Sequence, residues 1–368
     1  MNVHDFDFDL PDELIAQEPP HERGGSRLLV LNRDTGATEF ATFAQLGDYL
    51  RPGDLLVLNN TRVFPARLLG QRVPSGGSVE CLLLSQLPAP QLPTPNRTDL
   101  GVGVLGVGSS ETWDALMHPG QKLKPGARVL FERDGARLHG EVMARHFHGR
   151  RTIRLWTDGD MDVATAIERI GHIPRPPYIK RDDRPEDRDR YQTVYARERG
   201  SIAAPTAGLH FTTGQLDALA ARGVERAEIT LHVGYGTFKP VRAERVEDHQ
   251  VDPEPFTVSA DTAATLTRAR REGRRVIAVG TTTARALESL QMVAGAVEAS
   301  SGNTRLFIHP GHEFNLVNGL ITNFHLPRSS LLMLVAAFAG REHALQAYGE
   351  AVARGYRFYS YGDAMLIL

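Results

Sequence analysis

Hydrophobic positions in this chain come in two textures. Near the start, "SRLLVLNR" and "DLLVLNN" are short apolar runs bounded by polar or Pro-Gly punctuation. That is the pattern of strands buried on both faces. Ahead of them, "FDFDL" reads as a strand and "PDELIAQ" as a capped helix. From about Val63 to Trp156 the texture changes. "SVECLLL", "ARVLFER", "ARLHGEVMARHF" and "RRTIRLW" are short β-prone runs set between Gly, Pro and Asp turns. They predict a small all-β unit, a barrel.

Beyond it the pattern becomes α/β. "ERAEITLHV" reads as a strand, and "ADTAATLTRARREG" as a helix between Ser259 and Gly273. "RRVIAVG" is a strand that runs directly into the helix "TTARALESLQMV". "TRLFIH" and "GLITNF" are further strands, and "YRFYSYGDAMLIL" is a closing strand or strand pair. "SSLLMLVAAFAG" is apolar all round, which predicts a buried helix, and "EHALQAYGEAVARG" is another helix. The simplest architecture is an α/β domain built from both chain ends (1–62 and 157–368) around an inserted β-barrel domain (63–156). The second part carries most of the candidate site residues.

Composition narrows the class. The 368 residues are 41% hydrophobic and 23% charged, with a net charge of −2, as in an ordinary globular protein. The single cysteine, Cys81, excludes an intrachain disulfide framework and any Cys-rich zinc site, and fits a reducing compartment. The opening "MNVHDFDFDLPDELIAQ" is acidic and has no apolar core, so no signal peptide is expected. The longest apolar run, "LLMLVAAFAG", is too short for a bilayer. A cytoplasmic location and no membrane partner are expected.

Several strings carry candidate chemistry. "GVGVLG", 101–106, matches a dinucleotide fingerprint but follows a Pro-rich run rather than a strand. "HPGHEF" offers His309, His312 and Glu313, but its Pro-Gly makes a turn where a zinc site needs a helix face, so no metal is expected. In "VGTTTARALES", Thr281, Thr282 and Thr283 open a helix after a buried strand. A helix N-terminus suits an anion, and Arg285 stands in the same turn. "LHVGYGTFKP" ends a strand at His232 and continues as Gly234, Tyr235, Gly236 and Thr237, whose glycines allow close backbone approach to a ligand. "APTAGLHFT" sets Thr206, Gly208 and a lone His210 among turn-formers, and "TNFHLP" adds Asn323 and His325. If their strands are parallel, all four strings meet outside the carboxyl ends of one sheet. The segment "IPRPPYIKRDDRPEDRDRYQTVYARERG" mixes Arg175, Tyr178, Lys180, Arg181 and Arg190 with compensating acids. Such a mixture serves either as a salt-bridged connection or as an RNA contact through phosphates and stacked bases.

Taken in order, "DLLVLNNTRVFPARL", "PPYIKR", "RYQTVYARERGSIAAPTAGLHFT", "TLHVGYGTFKPV", "VIAVGTTTARALES", "GLITNFHLPRSSLLMLVAAFAG" and "RFYSYGDAMLI" resemble the S-adenosylmethionine:tRNA ribosyltransferase-isomerases of queuosine biosynthesis. The resemblance spans the chain and is weakest in the β-insert. It implies an inserted β-barrel, a monomer, no metal and no prosthetic group. S-adenosylmethionine would be a ribosyl donor, and the other partner a tRNA carrying 7-aminomethyl-7-deazaguanine at the wobble position. The product would be epoxyqueuosine, with adenine and methionine released.

The chemistry the resemblance implies suits these residues. A proton must leave the ribose 5′-carbon beside the sulfonium, and adenine must be assisted as it departs, so imidazoles in a water-poor pocket are apt. His210 and His232 are the expected acid/base pair. The methionine carboxylate is expected at Thr281, Thr282, Thr283 and Arg285, and adenine or ribose hydroxyls at Asn323 and His325. The Arg, Lys and Tyr residues of the 173–200 segment are the tRNA candidates. There are departures from the family pattern. Asp252 stands where a His is expected, Arg305 where an acid is expected, and the 85–110 stretch is longer. A non-catalytic RNA-binding protein and a methyltransferase are the competing classes. The latter would need a glycine-rich loop after the first strand, which is not found, and free adenine as product separates all three.

Overall fold

The computed structural model describes residues 1–88, 107–181, 183–238 and 241–368. The string at 101–106, most of the 85–110 stretch, Asp182 and Lys239 lie outside the described residues. The chain separates into two compact units: Met1–Val63 with Pro176–Leu368, and Phe64–Arg175.

The first unit is built on a sheet that has nine strands among the described residues. Their order is Ser300–Thr304, Glu254–Val258, Glu225–Leu231, Leu55–Asn59, Val276–Val279, Gly319–Asn323, Ala364–Ile367, Arg27–Leu31 and Thr38–Thr42. The four from Glu225–Leu231 to Gly319–Asn323 run parallel to one another. Leu55–Asn59, Val276–Val279 and Gly319–Asn323 are buried at every position, which is why they read as unbroken apolar runs. Leu55, Val57, Ala278 and Leu320 face one core, shared with Leu266, Leu287, Val335 and Tyr348 from the covering helices. Leu56, Leu58, Ile277 and Ile321 face the other, with Phe43, Phe211 and Leu216. The apolar helix, Ser330–Ala339, is capped by Ser329, whose hydroxyl accepts from Leu332 N, and its Leu332, Met333, Leu334, Val335 and Ala336 are all buried.

Four elements differ from the sequence reading. "FDFDL" is not a strand; Val3–Phe6 is a 3-10 turn whose Val3 N–H donates to Glu244 O at 2.9 Å. The alternation of Phe6, Phe8 and Leu10 reflects their packing on the core, not strand pairing. The expected helix after it shrinks to the single turn Asp12–Leu14. The strand read at "TRLFIH" ends at Thr304, because the next carbonyls serve side chains instead: Arg285 Nε donates to Leu306 O at 2.9 Å. The closing strand is only Ala364–Ile367.

In the second unit, Arg67–Val73, Ser78–Leu87, Val107–His118, Arg128–Arg133, Ala136–Arg145 and Arg150–Asp158 close a barrel among the described residues. Its interior is filled by Leu68, Cys81, Leu83, Phe131, Leu138, Val142, Ile153 and Leu155. A Cβ at Gly140 would stand 2.8–3.2 Å from Val129, Ile153 and Leu155, so only glycine fits that packed layer. The unit ends at Arg175, not at 156 as the change of texture suggested. The helix Val163–Ile170 belongs to it, packing against Arg128–Arg133, Ala136–Arg145 and Arg150–Asp158 through a buried Val163, Ala166, Ile167 and Ile170. A helix reads as α/β in sequence; only its packing assigns it to the barrel. Among the described residues no helix is long and apolar enough to cross a membrane.

Candidate functional site

A cleft opens where the parallel strands end. Val276–Val279 runs into Gly280, Thr281 and Thr282, Gly319–Asn323 into His325, and Glu225–Leu231 into Val233 and, beyond it, Thr237; each contributes to the wall. The loop 203–207 and a cluster of Tyr178, Tyr191, Tyr359 and Ser360 complete it. This is where open α/β sheets place ligands, because the strand ends leave a crevice free of covering helices.

Gly280 has φ +92, a conformation that favours glycine, and it turns the chain from strand to helix at the wall. No side chain caps the helix Thr281–Glu288, so the first N–H groups keep their hydrogen-bonding capacity beside Thr281 and Thr282. Thr283 does not join them. It is fully buried and its hydroxyl donates back to Val279 O at 2.6 Å. Arg285, expected with the threonines, lies in an adjoining cavity instead, where it pairs with Glu254. Helix phase turns Thr283 away from Thr281 and Thr282, whereas Arg285, at i+4 from Thr281 and i+3 from Thr282, lies on their side of the helix one turn further along and reaches the adjoining cavity.

The two expected acid/base histidines are not in the cleft wall. His210 stands behind it in a buried relay. Thr206 Oγ1 donates to Asn323 Oδ1 at 3.0 Å, Asn323 Nδ2 donates to His210 Nε2 at 3.0 Å, and His210 Nδ1 donates to Ser26 Oγ at 2.8 Å. This ordering places the ring proton on Nδ1. His210 also packs on Phe43, with ring centroids 5.1 Å apart. The relay orients Asn323 and holds the Thr206 hydroxyl with its lone pairs free for the cleft. His232 borders a different groove, with Asn60, Arg197, Glu198 and Glu228, and its Nδ1 bonds the Thr61 hydroxyl at 2.8 Å. The imidazole that does line the cleft is His325. Its Nε2 shares a 2.8 Å hydrogen bond with Thr322 Oγ1, and Tyr348 Oη accepts from its backbone N–H at 3.1 Å.

Glycines of the candidate set divide in the same way. Gly208 faces Tyr195, whose hydroxyl would lie 2.1 Å from a Cβ there, so it is a packing glycine and does not touch the cleft. Gly234 N–H donates to Glu254 Oε1 at 2.9 Å. Thr237 does the same through Oγ1 at 3.1 Å and borders both cavities, while Gly236 borders the second. Tyr235 begins the 3-10 turn Tyr235–Phe238 and lines neither.

Sequence reasoning missed Tyr359, Ser360, Tyr191 and Glu254. Tyr359 has φ +75, an uncommon conformation for a bulky residue, and its ring lies 3.8 Å from that of Tyr178. The signal is the dense aromatic string "YRFYSYGD", whose strand-like texture hides a turn that carries Tyr359 and Ser360 to the cleft. Tyr178 was assigned to RNA; its ring is in the cleft and its hydroxyl bonds Ser360.

Burial in these apolar walls pushes the His210 imidazolium down to about 4 and that of His325 to about 3. Burial also lowers His232. The unfolded chain therefore binds more protons than the native state below pH 6.5, and stability falls as pH falls through 6.5 toward these lowered values. At pH 5 each of His210 and His325 contributes a loss of about 2 kcal/mol relative to pH 8. Urea unfolding at pH 8 and pH 5 should show this loss in the wild type and a smaller one in His210→Gln; equal losses would contradict it.

The basic segment is mostly committed internally. Arg181 forks onto Asp187 at 2.8 and 2.6 Å and donates to Gln17 O at 3.1 Å, so it is structural and not an open phosphate contact. Arg190 holds the carbonyls of His21 and Pro20. Arg175 closes the other unit. Lys180 is 79% exposed, with Asp12 at 4.0 Å, and is the residue of this set most available to a polyanion. Lys180→Ala should weaken tRNA binding and lower the slope of log affinity against log salt by roughly one, whereas Arg181→Leu should destabilise the segment by removing the guanidinium that neutralises the buried Asp187. Filter binding across salt, with a melting curve for each variant, checks both. At "HPGHEF" the Pro-Gly is a turn, as the sequence indicated, and no group of three His, Cys, Asp or Glu able to hold a metal occurs among the described residues.

The profile of the family described as "Queuosine biosynthesis protein" matches residues 3–367. The S-adenosylmethionine:tRNA ribosyltransferase-isomerase of Nitratidesulfovibrio vulgaris (strain DP4) is 50% identical over 369 residues, covering 98% of this chain and 96% of that protein. That of Syntrophotalea carbinolica is 48% identical, covering 100% of both. The crystal structure of S-adenosylmethionine tRNA ribosyltransferase from Thermotoga maritima is 37% identical and superimposes with a TM-score of 0.53, covering 99% of this chain and 100% of that one. With the match running from one end of the sequence to the other and through every strand that builds the cleft, the chain belongs to the queuosine biosynthesis protein family of ribosyltransferase-isomerases.

Proposed function

We propose that this enzyme transfers and isomerises the ribosyl moiety of S-adenosylmethionine onto 7-aminomethyl-7-deazaguanine at the tRNA wobble position. The product is epoxyqueuosine-tRNA, and adenine and methionine leave. The observation that carries this reading is the cleft at the parallel strand ends, lined by neutral polar groups and aromatics in a chain of this family.

The cleft suits the nucleoside part of the donor. Thr206, Thr281, Thr282 and Asn323 offer uncharged donors and acceptors for ribose hydroxyls or adenine nitrogens, and Tyr178 and Tyr359 offer aromatic faces. Proton removal beside a sulfonium needs an acceptor in the cleft wall, and His325 is the imidazole there; burial lowers its imidazolium, which keeps the ring neutral and also makes it a weaker base. His325 takes the acid/base role that the sequence reading gave to His210 and His232, and His210 acts as a positioning residue through Asn323. The test is one incubation of purified protein with S-adenosylmethionine and tRNA carrying the deazaguanine. Free adenine that depends on this tRNA, with a ribosyl-derived mass gain on the nucleoside, is expected. S-adenosylhomocysteine in place of adenine would overturn the reading.

A further inference from the structure

The barrel hairpin between Ala136–Arg145 and Arg150–Asp158 turns through Phe147–Gly149. His148 takes φ +54 there, a region that residues other than glycine adopt sparingly. The turn presents Phe147 to solvent. It is 88% exposed, while the next large apolar side chain among the described residues, Val293, reaches 52%. A single exposed apolar side chain is ordinary; the surroundings of this one are not. Arg151, 1% exposed, ties the loop 119–124 to the hairpin. Its Nε donates to Leu123 O at 2.8 Å, its Nη1 to Arg150 O at 2.7 Å and its Nη2 to Gly120 O. The groove so formed is lined by Gln121, Arg145, His146, Phe147 and His148 beside Arg151, with no acid in its wall.

The charge of this face is one-signed. Lys122 and Lys124, two of the chain's four lysines, stand exposed on the loop, and Arg145 is exposed on the hairpin. None of the three has an acidic partner among the described residues; Arg150 beside them is paired with Asp114. The strings "HPGQKLK", 118–124, and "RHFHGRR", 145–151, hold no Asp or Glu in a chain whose net charge is −2. Cations gathered without acids attract a polyanion. The guanidinium donors of Arg151 are spent on carbonyls, so a lone small anion finds no cradle on it. Spaced exposed cations beside an exposed aromatic ring fit a chain of phosphates with unpaired bases, since a base supplies the flat face that the carboxylates of an acidic peptide do not.

Resting on the reading of tRNA as substrate, we propose that this face of the barrel is an RNA contact: Lys122, Lys124 and Arg145 hold phosphates, and Phe147 stacks on an unpaired base. Both strings fall in the β-insert, where the resemblance to the family is weakest.

The experiment is filter binding of the full chain, across salt, to tRNA carrying the deazaguanine and to a blunt RNA duplex. Phe147→Ala should weaken tRNA binding by about five- to a hundredfold at an unchanged salt slope, and leave duplex binding as it was, because the bases of a duplex are already stacked. The double variant Lys122→Ala, Lys124→Ala should weaken both RNAs and lower the slope of log affinity against log salt by roughly one to two. All three side chains are exposed, so the melting curves of both variants should match wild type. Wild-type tRNA affinity in both variants overturns this surface and leaves the proposed reaction standing. A loss in the lysine variant alone overturns the base contact, and poly-glutamate competing as well as tRNA would make an acidic polypeptide the occupant. Failure of the wild type to bind the tRNA overturns both this proposal and the reading it rests on.

Discussion

Replacing His325 by Gln lowers turnover by about a hundredfold to ten-thousandfold, the range of a lost general acid–base, with tRNA affinity unchanged. Its ring is the imidazole in the cleft wall, and glutamine preserves size and one hydrogen bond to Thr322. His210→Gln loses less, about tenfold, because it only loosens the orientation of Asn323 and Thr206. His232→Gln stays within a few-fold of wild type, since His232 borders another groove. Single-turnover adenine release for the three variants, beside tRNA binding, decides among them. An active His325→Gln enzyme, or an inactive His232→Gln enzyme of native stability, would return the chemistry to the residues first expected from sequence. Because His210 and His325 are neutral across the working range, the turnover profile should show no limb near pH 6.5 from either.

Replacing Glu254 by Gln destabilises the protein by about 3–5 kcal/mol, because it leaves the Arg285 guanidinium buried without its counter-charge. The pair is deep: the two side chains are 10% and 4% exposed, and Glu254 also ties the backbone of Gly234 and the hydroxyl of Thr237. Urea unfolding measures the loss. In the double variant Glu254→Gln, Arg285→Met, much of it should be recovered, since a buried pair is costly to break but not intrinsically stabilising against apolar residues of similar size. A loss below about 1 kcal/mol in the single variant would show that the guanidinium reaches water when unpaired.

What was legible in the linear pattern was what local physics controls. Unbroken apolar runs marked strands buried on both faces, and "DLLVLNN", "VIAV" and "GLITN" are such strands. Short β-prone runs between turns marked the barrel, Ser259 marked a helix start, and the Thr-rich turn after Val279 marked a strand-to-helix junction that stands in the cleft wall. Of the strings chosen for chemistry, "APTAGLHFT", "VGTTTAR" and "TNFHLP" come from segments that line the cleft at the strand ends. Local pattern suffices here because burial on a given face is set by residue spacing along the chain.

Tertiary structure decided which way each side chain points and what meets it. Helix phase puts Thr283 on the opposite side from Thr281, but only the packing makes that side core: Thr283 is buried and bonded to Val279 O while Thr281 faces the cleft. His210, His232 and His325 look alike in sequence; a relay of Ser26, Asn323 and Thr206, drawn from segments far apart, consumes both nitrogens of the first. Glu254, which no local pattern marks, is the partner of Arg285 across 31 positions of chain. The Val163–Ile170 helix joined the barrel for the same reason. Spacing along one element determines a face, but partners brought together from distant segments determine whether a polar group on that face is spent on the fold or left for a substrate.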